Sequence, residues 1–170
     1  MPIPENIRVT QLDLELNGGC NYKCEMCPQT EGREKSFLKK LPSSVLSKIL
    51  DDALQYGVES VSLHGSGEPT LNADMPEAVR AVKSRGLKCL SFTNGYRLDE
   101  KMSRRLIDAG IDVLRVSAIG SDREGRGHAP SASAAYVRAA ICFHFAQVVA
   151  FHLPDLKIDL QASKTAAFVR

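Results

Sequence analysis

The stretch VESVSLHGSGEPTLNADMPEAVRAVKSRGLKCLSFTNGYRLDEKMSRRLIDAGIDVLRVS, residues 58–117, decides the fold. Val58 to Leu63 is a short apolar run and reads as a strand. Asp74 to Arg85 has helical apolar spacing, with Asp74 as N-cap, Pro76 in the first turn and Gly86 as stop. Leu87 to Phe92 is again a strand, Leu98 to Ala109 a helix closed by Gly110, and Ile111 to Ser117 a strand. The strands begin near residues 58, 87 and 111, so they are 29 and 24 residues apart. Strands alternating with helices at that interval imply βα units and a parallel sheet.

Working outward, Leu12, Leu14 and Leu16 alternate with Gln11, Asp13 and Glu15, which predicts a strand over Val9 to Asn17. Gly18-Gly19-Cys20-Asn21 ends it in a loop. Ser44 to Tyr56 carries Val45, Leu46, Ile49, Leu50, Ala53 and Leu54 on one helical face, between Pro42-Ser43 and Gly57. Beyond residue 120 the text changes. Ser121 to Ser133 reads as loop and Ala134 to Phe151 as a helix without a polar stripe. No Asp or Glu occurs from Gly125 to Pro154, a gap with a chance of roughly 2% at the overall acidic frequency. Residues 121–154 are therefore an atypical segment, either a native helix or a stretch foreign to the reading frame. Leu156 to Leu160 again alternates like a strand.

The 170 residues fit one domain, and 44% hydrophobic and 25% charged residues are ordinary for a soluble globular protein. A net charge of +2 leaves no electrostatic footprint for nucleic acid or a membrane surface. No apolar leader opens the chain and no apolar run reaches about 18 residues, so a cytoplasmic location is expected. Five cysteines in a reducing compartment do not form a disulfide framework.

Three of those cysteines lie within eight residues, Cys20-Asn-Tyr-Lys-Cys24-Glu-Met-Cys27, the spacing C-x3-C-x2-C. Such crowding points to metal. Structural zinc needs a fourth ligand, for which His64 is the candidate, while Cys89 should lie at the far end of the sheet. A four-iron cluster on three thiolates keeps one iron open for a ligand. Both readings stand on the spacing alone. Cys142 reads as a small hydrophobe, and His128, His144 and His152 as structural.

A second candidate is Leu63-His64-Gly65-Ser66-Gly67-Glu68-Pro69, where glycines at a strand end admit close approach of a ligand and Glu68 can meet a cation. The plain alternative is a βα turn with a solvated Glu68. Thr93-Asn94-Gly95 and Ser117 end the third and fourth strands, at the face where parallel barrels bind ligands. Asn-Gly is also an ordinary turn signal.

C-x3-C-x2-C in the loop after a first strand resembles the signature of the radical S-adenosylmethionine (SAM) superfamily, here Asn17-Gly-Gly-Cys20-Asn-Tyr-Lys-Cys24-Glu-Met-Cys27-Pro28. Met26 stands where the family usually has an aromatic residue. Gly65-Ser66-Gly67-Glu68 is similar to the family's Gly-Gly-Glu motif, which holds the amino group of SAM, with Ser66 replacing one glycine. The resemblance implies SAM contacts for Asn94 and Ser117 as well. It implies an α/β fold, a partial parallel (βα)6 barrel of TIM-like kind. The family core has six βα units, so residues 1–170 are expected to form a single, incomplete core domain. A [4Fe-4S] cluster on Cys20, Cys24 and Cys27 and SAM would be the cofactors, with a flavodoxin or ferredoxin as low-potential electron donor. Reductive cleavage of SAM would give a 5′-deoxyadenosyl radical that takes hydrogen from a substrate the sequence does not identify. A zinc-stabilised binding module and an inactive truncated fragment are the alternatives.

Overall fold

The computed structural model describes residues 9–22, 27 and 39–118, and the backbone of 157–162. The atypical segment 121–154 and its expected helix, together with Cys142, His128, His144 and His152, lie outside the described residues. So do Cys24 and Met26. Five strands, β1 (Gln11–Asp13), β2 (Ser60–Ser62), β3 (Lys88–Thr93), β4 (Val113–Ala118) and β5 (Lys157–Ala162), form one sheet in the order β1-β2-β3-β4-β5. Every pairing is parallel. Helices α1 (Ser43–Gln55), α2 (Met75–Lys83) and α3 (Glu100–Asp108) make the crossovers between the first four strands. Sequential parallel strands joined by helices are the βα architecture anticipated from residues 58–117.

The register shows why the helices pack on one side. Leu12, Val61 and Cys89 are aligned across three strands, and Ser91 with Leu114 and Thr93 with Val116 across the next two. Parallel partners share a face, and this face is closed by Leu46, Leu50 and Ala53 of α1, Met75, Val79 and Val82 of α2 and Leu106 of α3. The opposite face alternates with it. There, Ser62, His64, Leu90, Phe92 and Arg115 make a more polar surface, half-buried apart from the fully buried Ser62. In a curved parallel sheet covered by helices outside, that face is the concave one.

Element ends differ from expectation in instructive places. The first strand is in ladder register over Gln11–Asp13, and Leu14 N–H still donates to Ser62 O at 2.9 Å. From there the chain turns aside: Leu41 N–H donates to Leu16 O and Asn17 bridges Lys40 in antiparallel sense. Asp74 occupies the N-cap position of α2, but its side chain caps nothing; Asn72 Oδ1 instead accepts from Asp74 N–H at 3.1 Å. Helix α3 starts later than Leu98 because Asp99 is its cap, accepting from Met102 N–H at 2.7 Å. Gly86 ends α2 at φ +75°, a left-handed conformation that disfavours side chains.

Two contacts fix opposite ends of the sheet. At the N-terminal end, Asp112 accepts from Lys83 Nζ at 2.7 Å and from Cys89 N–H at 2.7 Å. Burial, with the Asp112 charge beside it, pushes the Cys89 thiol up to about 12. At the C-terminal end, the 63–68 turn lies against the exit of β1. A Cβ on Gly67 would stand 1.6 Å from Asn17 O and 2.7 Å from its carbonyl carbon. Glycine is therefore required at 67 because the chain's own backbone approaches there.

Three outcomes follow from this packing. Leu50→Ala should cost about 2–5 kcal/mol in urea unfolding, while Leu54→Ala, on the exposed side of the same helix, should stay within about 0.5 kcal/mol. Gly67→Ala should lower the melting temperature sharply or prevent folding, since main chain must move to admit the methyl group. In native protein at pH 8, site-resolved alkylation should leave Cys89 unmodified until denaturant is added.

Candidate cofactor site

The site is built where β1, β2 and β3 end. After β1, Asn17 is buried and its Nδ2 donates to Gly19 O at 2.8 Å and to Glu68 O at 3.2 Å. Glu68 N–H in turn donates to Gly19 O at 2.8 Å. Glu15 reaches the same turn, accepting from Gly67 N–H at 2.8 Å, and its side chain fills the space beside Gly65. The start of the cysteine loop and the Gly-Ser-Gly-Glu turn are thus one bonded unit, although 51 residues separate Asn17 from Glu68.

Glu68 is buried, 3% exposed, so the solvated turn is ruled out. Its Oε1 accepts from Thr70 N–H at 3.0 Å, Thr70 Oγ1–H and Thr93 Oγ1–H, and its Oε2 from Asn94 N–H at 2.7 Å. A carboxylate out of water needs such donors. The Thr70 bonds cap the short 3₁₀ turn Pro69–Leu71, and the Thr93 and Asn94 bonds hold the end of β3. Among the described residues Oε2 accepts from Asn94 N–H alone, which leaves acceptor capacity on that oxygen. Gly65 and Ser66 are exposed at the rim.

Cys20 and Cys27 are half-buried free thiols. Tyr22 N–H donates to Cys20 Sγ at 3.4 Å, and Asn94 Nδ2 donates to the same sulfur at 3.9 Å and to Asn21 Oδ1 at 3.1 Å. Burial first, then the neighbouring Glu68 and Cys27, raises the Cys20 thiol above its ordinary value, while Asn94 and the local backbone act the other way. Two N–H donors aimed at one sulfur suit a metal-bound thiolate, and a bound cation reverses the balance that keeps the thiol protonated. The residues present therefore fit a thiolate-ligated cluster.

His64 borders the site on the concave face. Its Nδ1 is 2.7 Å from Ser62 Oγ, and its ring lies 4.5 Å from that of Phe92, over which the Arg115 guanidinium stands at 4.8 Å. That places His64 in a packed row across β2, β3 and β4 and ties up one of its ring nitrogens. Ser117 aligns with Gln161 at the end of β4 and makes no side-chain bond among the described residues. Tyr22 and Tyr96 meet edge-to-face at 6.3 Å beside the cysteine loop. Asn17, Glu15 and Thr70 do not stand out in the sequence, and the local text around Asn17, Glu15 and Thr93 gives no sign of their partners 25 or more residues away.

The description "Radical SAM superfamily" matches residues 14–141, three quarters of the chain. A probable GTP 3′,8-cyclase of Methanococcus maripaludis (strain S2) is 34% identical over 110 residues, 65% of this chain and 36% of that protein. The Fe-coproporphyrin III synthase of Methanosarcina barkeri is 30% identical over 101 residues, 59% of this chain and 25% of that one. The chain thus spans between a quarter and about a third of the length of these two curated relatives. Among solved structures, Streptococcus suis SuiB bound to S-adenosylmethionine aligns with a TM-score of 0.70 at 20% identity, over 91% of this chain and 34% of that one. BtrN in complex with AdoMet and 2-DOIA aligns at 0.66 and 18% identity, over 92% and 58%. These two show the fold, a partial parallel barrel. The family match, carried by the stretch that includes the cysteine loop and the Glu68 turn, shows more: this chain belongs to the radical SAM superfamily, which implies a [4Fe-4S] cluster and S-adenosylmethionine as its cofactors.

Proposed function

We propose that Cys20, Cys24 and Cys27 hold a [4Fe-4S] cluster, that SAM binds its open iron, and that the chain serves a radical SAM enzyme that abstracts hydrogen from an organic substrate. Held by these three cysteines, such a cluster would supply the one-electron reduction on which SAM cleavage and hydrogen abstraction depend. The observation that carries this reading is the bonded unit joining the cysteine loop to Glu68, in which Glu68 N–H meets Gly19 O next to Cys20. It brings Cys20 and a buried carboxylate to the same strand ends.

The chain's residues would divide the work. The cysteines provide three thiolates, and Tyr22 N–H and Asn94 Nδ2 stabilise the charge on the first. Glu68 Oε2, which keeps acceptor capacity beside Asn94 N–H, would take the methionine ammonium of SAM. Ser117 stands at the end of β4 for the ribose. The concave row of His64, Phe92 and Arg115 faces the substrate and keeps water from the reacting carbon. A flavodoxin or ferredoxin supplies the electron. Membership of this family favours iron–sulfur over the zinc alternative. The matched stretch is common to relatives named for different reactions, so it supports the cofactors and leaves the substrate to the rest of the barrel.

Anaerobic reconstitution with iron and sulfide tests the reading. The protein should take up about four irons and release methionine from SAM under dithionite. Each of Cys20→Ala, Cys24→Ala and Cys27→Ala should lose methionine release altogether and most of the visible absorption. Glu68→Gln should keep its iron and bind SAM about tenfold more weakly or worse. One equivalent of zinc with no cubane would overturn the proposal.

A further inference from the structure

The Asn94 side chain is spent on the cysteine loop. Its orientation is fixed from both ends. The backbone N–H of Asn94 is held by the buried Glu68 Oε2 at 2.7 Å, and its Oδ1 accepts from Tyr96 N–H at 2.9 Å. Thr93 Oγ1 also accepts from Gly95 N–H at 3.0 Å, which tightens the same turn. Since Tyr96 presents an N–H, the amide oxygen must face it, and a flipped amide would set donor against donor. The amino group therefore points the other way, to Cys20 Sγ at 3.9 Å and Asn21 Oδ1 at 3.1 Å.

We propose that Asn94 is a positioning residue that sets the reduction potential of the cluster through an N–H···S hydrogen bond to Cys20. The inference rests on the proposed function, because it needs the cluster to be there. An N–H dipole with its positive end on a ligand sulfur stabilises the state with one more electron, so it raises the potential. Tyr22 N–H, at 3.4 Å from the same sulfur, acts in the same sense but cannot be removed by changing a side chain. Asn94 is the adjustable donor. Its placement by Glu68 links the potential to the carboxylate proposed to receive SAM.

The test is an EPR-monitored redox titration of the reconstituted protein without SAM. Asn94→Leu removes the donor at similar volume. Asn94→Asp keeps the oxygen that Tyr96 N–H needs and replaces the donor with an anionic oxygen. Both midpoints should fall below that of the unaltered protein, with Asp the lower, at unchanged iron content. Midpoints equal to the unaltered one, with only SAM affinity reduced, would overturn the proposal and make Asn94 a SAM contact. Where a variant fails to fold, unaltered protein carrying ¹⁵N in its asparagine amides decides: pulsed EPR of the reduced cluster should show a ¹⁵N coupling, and its absence overturns the proposal. Unaltered protein that assembles no cubane overturns the proposed function and this inference together. A normal cubane insensitive to Asn94 overturns this inference alone.

Discussion

A single buried carboxylate organises the working end of this molecule. Glu68 sits 3% exposed with four donors around it, and none of them comes from solvent. Its side chain ties the exit of β2 to the exit of β3, and its main chain ties both to the exit of β1 through Gly19 O and Asn17 Nδ2. Burying a charge is costly unless donors are already in place. The ends of three strands must therefore be correctly assembled before the carboxylate can sit where it does. The same assembly carries Cys20 to its position.

The rest of the molecule divides in keeping with that constraint. Apolar residues of the sheet and of α1, α2 and α3 form one core on the convex side, and they specify the fold. The N-terminal end of the sheet is closed by Lys83, Asp112 and the backbone of Cys89, an arrangement that serves stability. The concave side keeps polar and aromatic groups, His64, Phe92 and Arg115, in a row that leads toward the strand ends. Conserving geometry at one end while the concave row varies is how parallel barrels support many reactions.

Much of this was legible in the sequence, for a physical reason. Hydrophobic periodicity and glycine stops report local structure, so the order of strands and helices between residues 58 and 117 could be read directly. The cysteine spacing is likewise local. What escaped were contacts closed by the fold. That Asn17 O closes on Gly67 cannot be read from the residues around either. Glu68 had a solvated alternative that burial removes. The bond from the Asn94 amide to Cys20 Sγ, 74 residues earlier, is likewise invisible in the local text. The ladder of β1 ends before Asn17 because Leu16 and Asn17 pair with the chain around Lys40, which no periodicity encodes. Each of these contacts joins a side chain or carbonyl to a partner remote in sequence.

The central claim is that the strand ends joined by Glu68 hold a cluster with an iron open to SAM. EPR of the anaerobically reconstituted, dithionite-reduced protein, recorded with and without SAM, tests it most directly. The account predicts an S = ½ cubane signal whose g-values change when SAM is added. A cubane signal indifferent to saturating SAM, or no cubane at all, would contradict it.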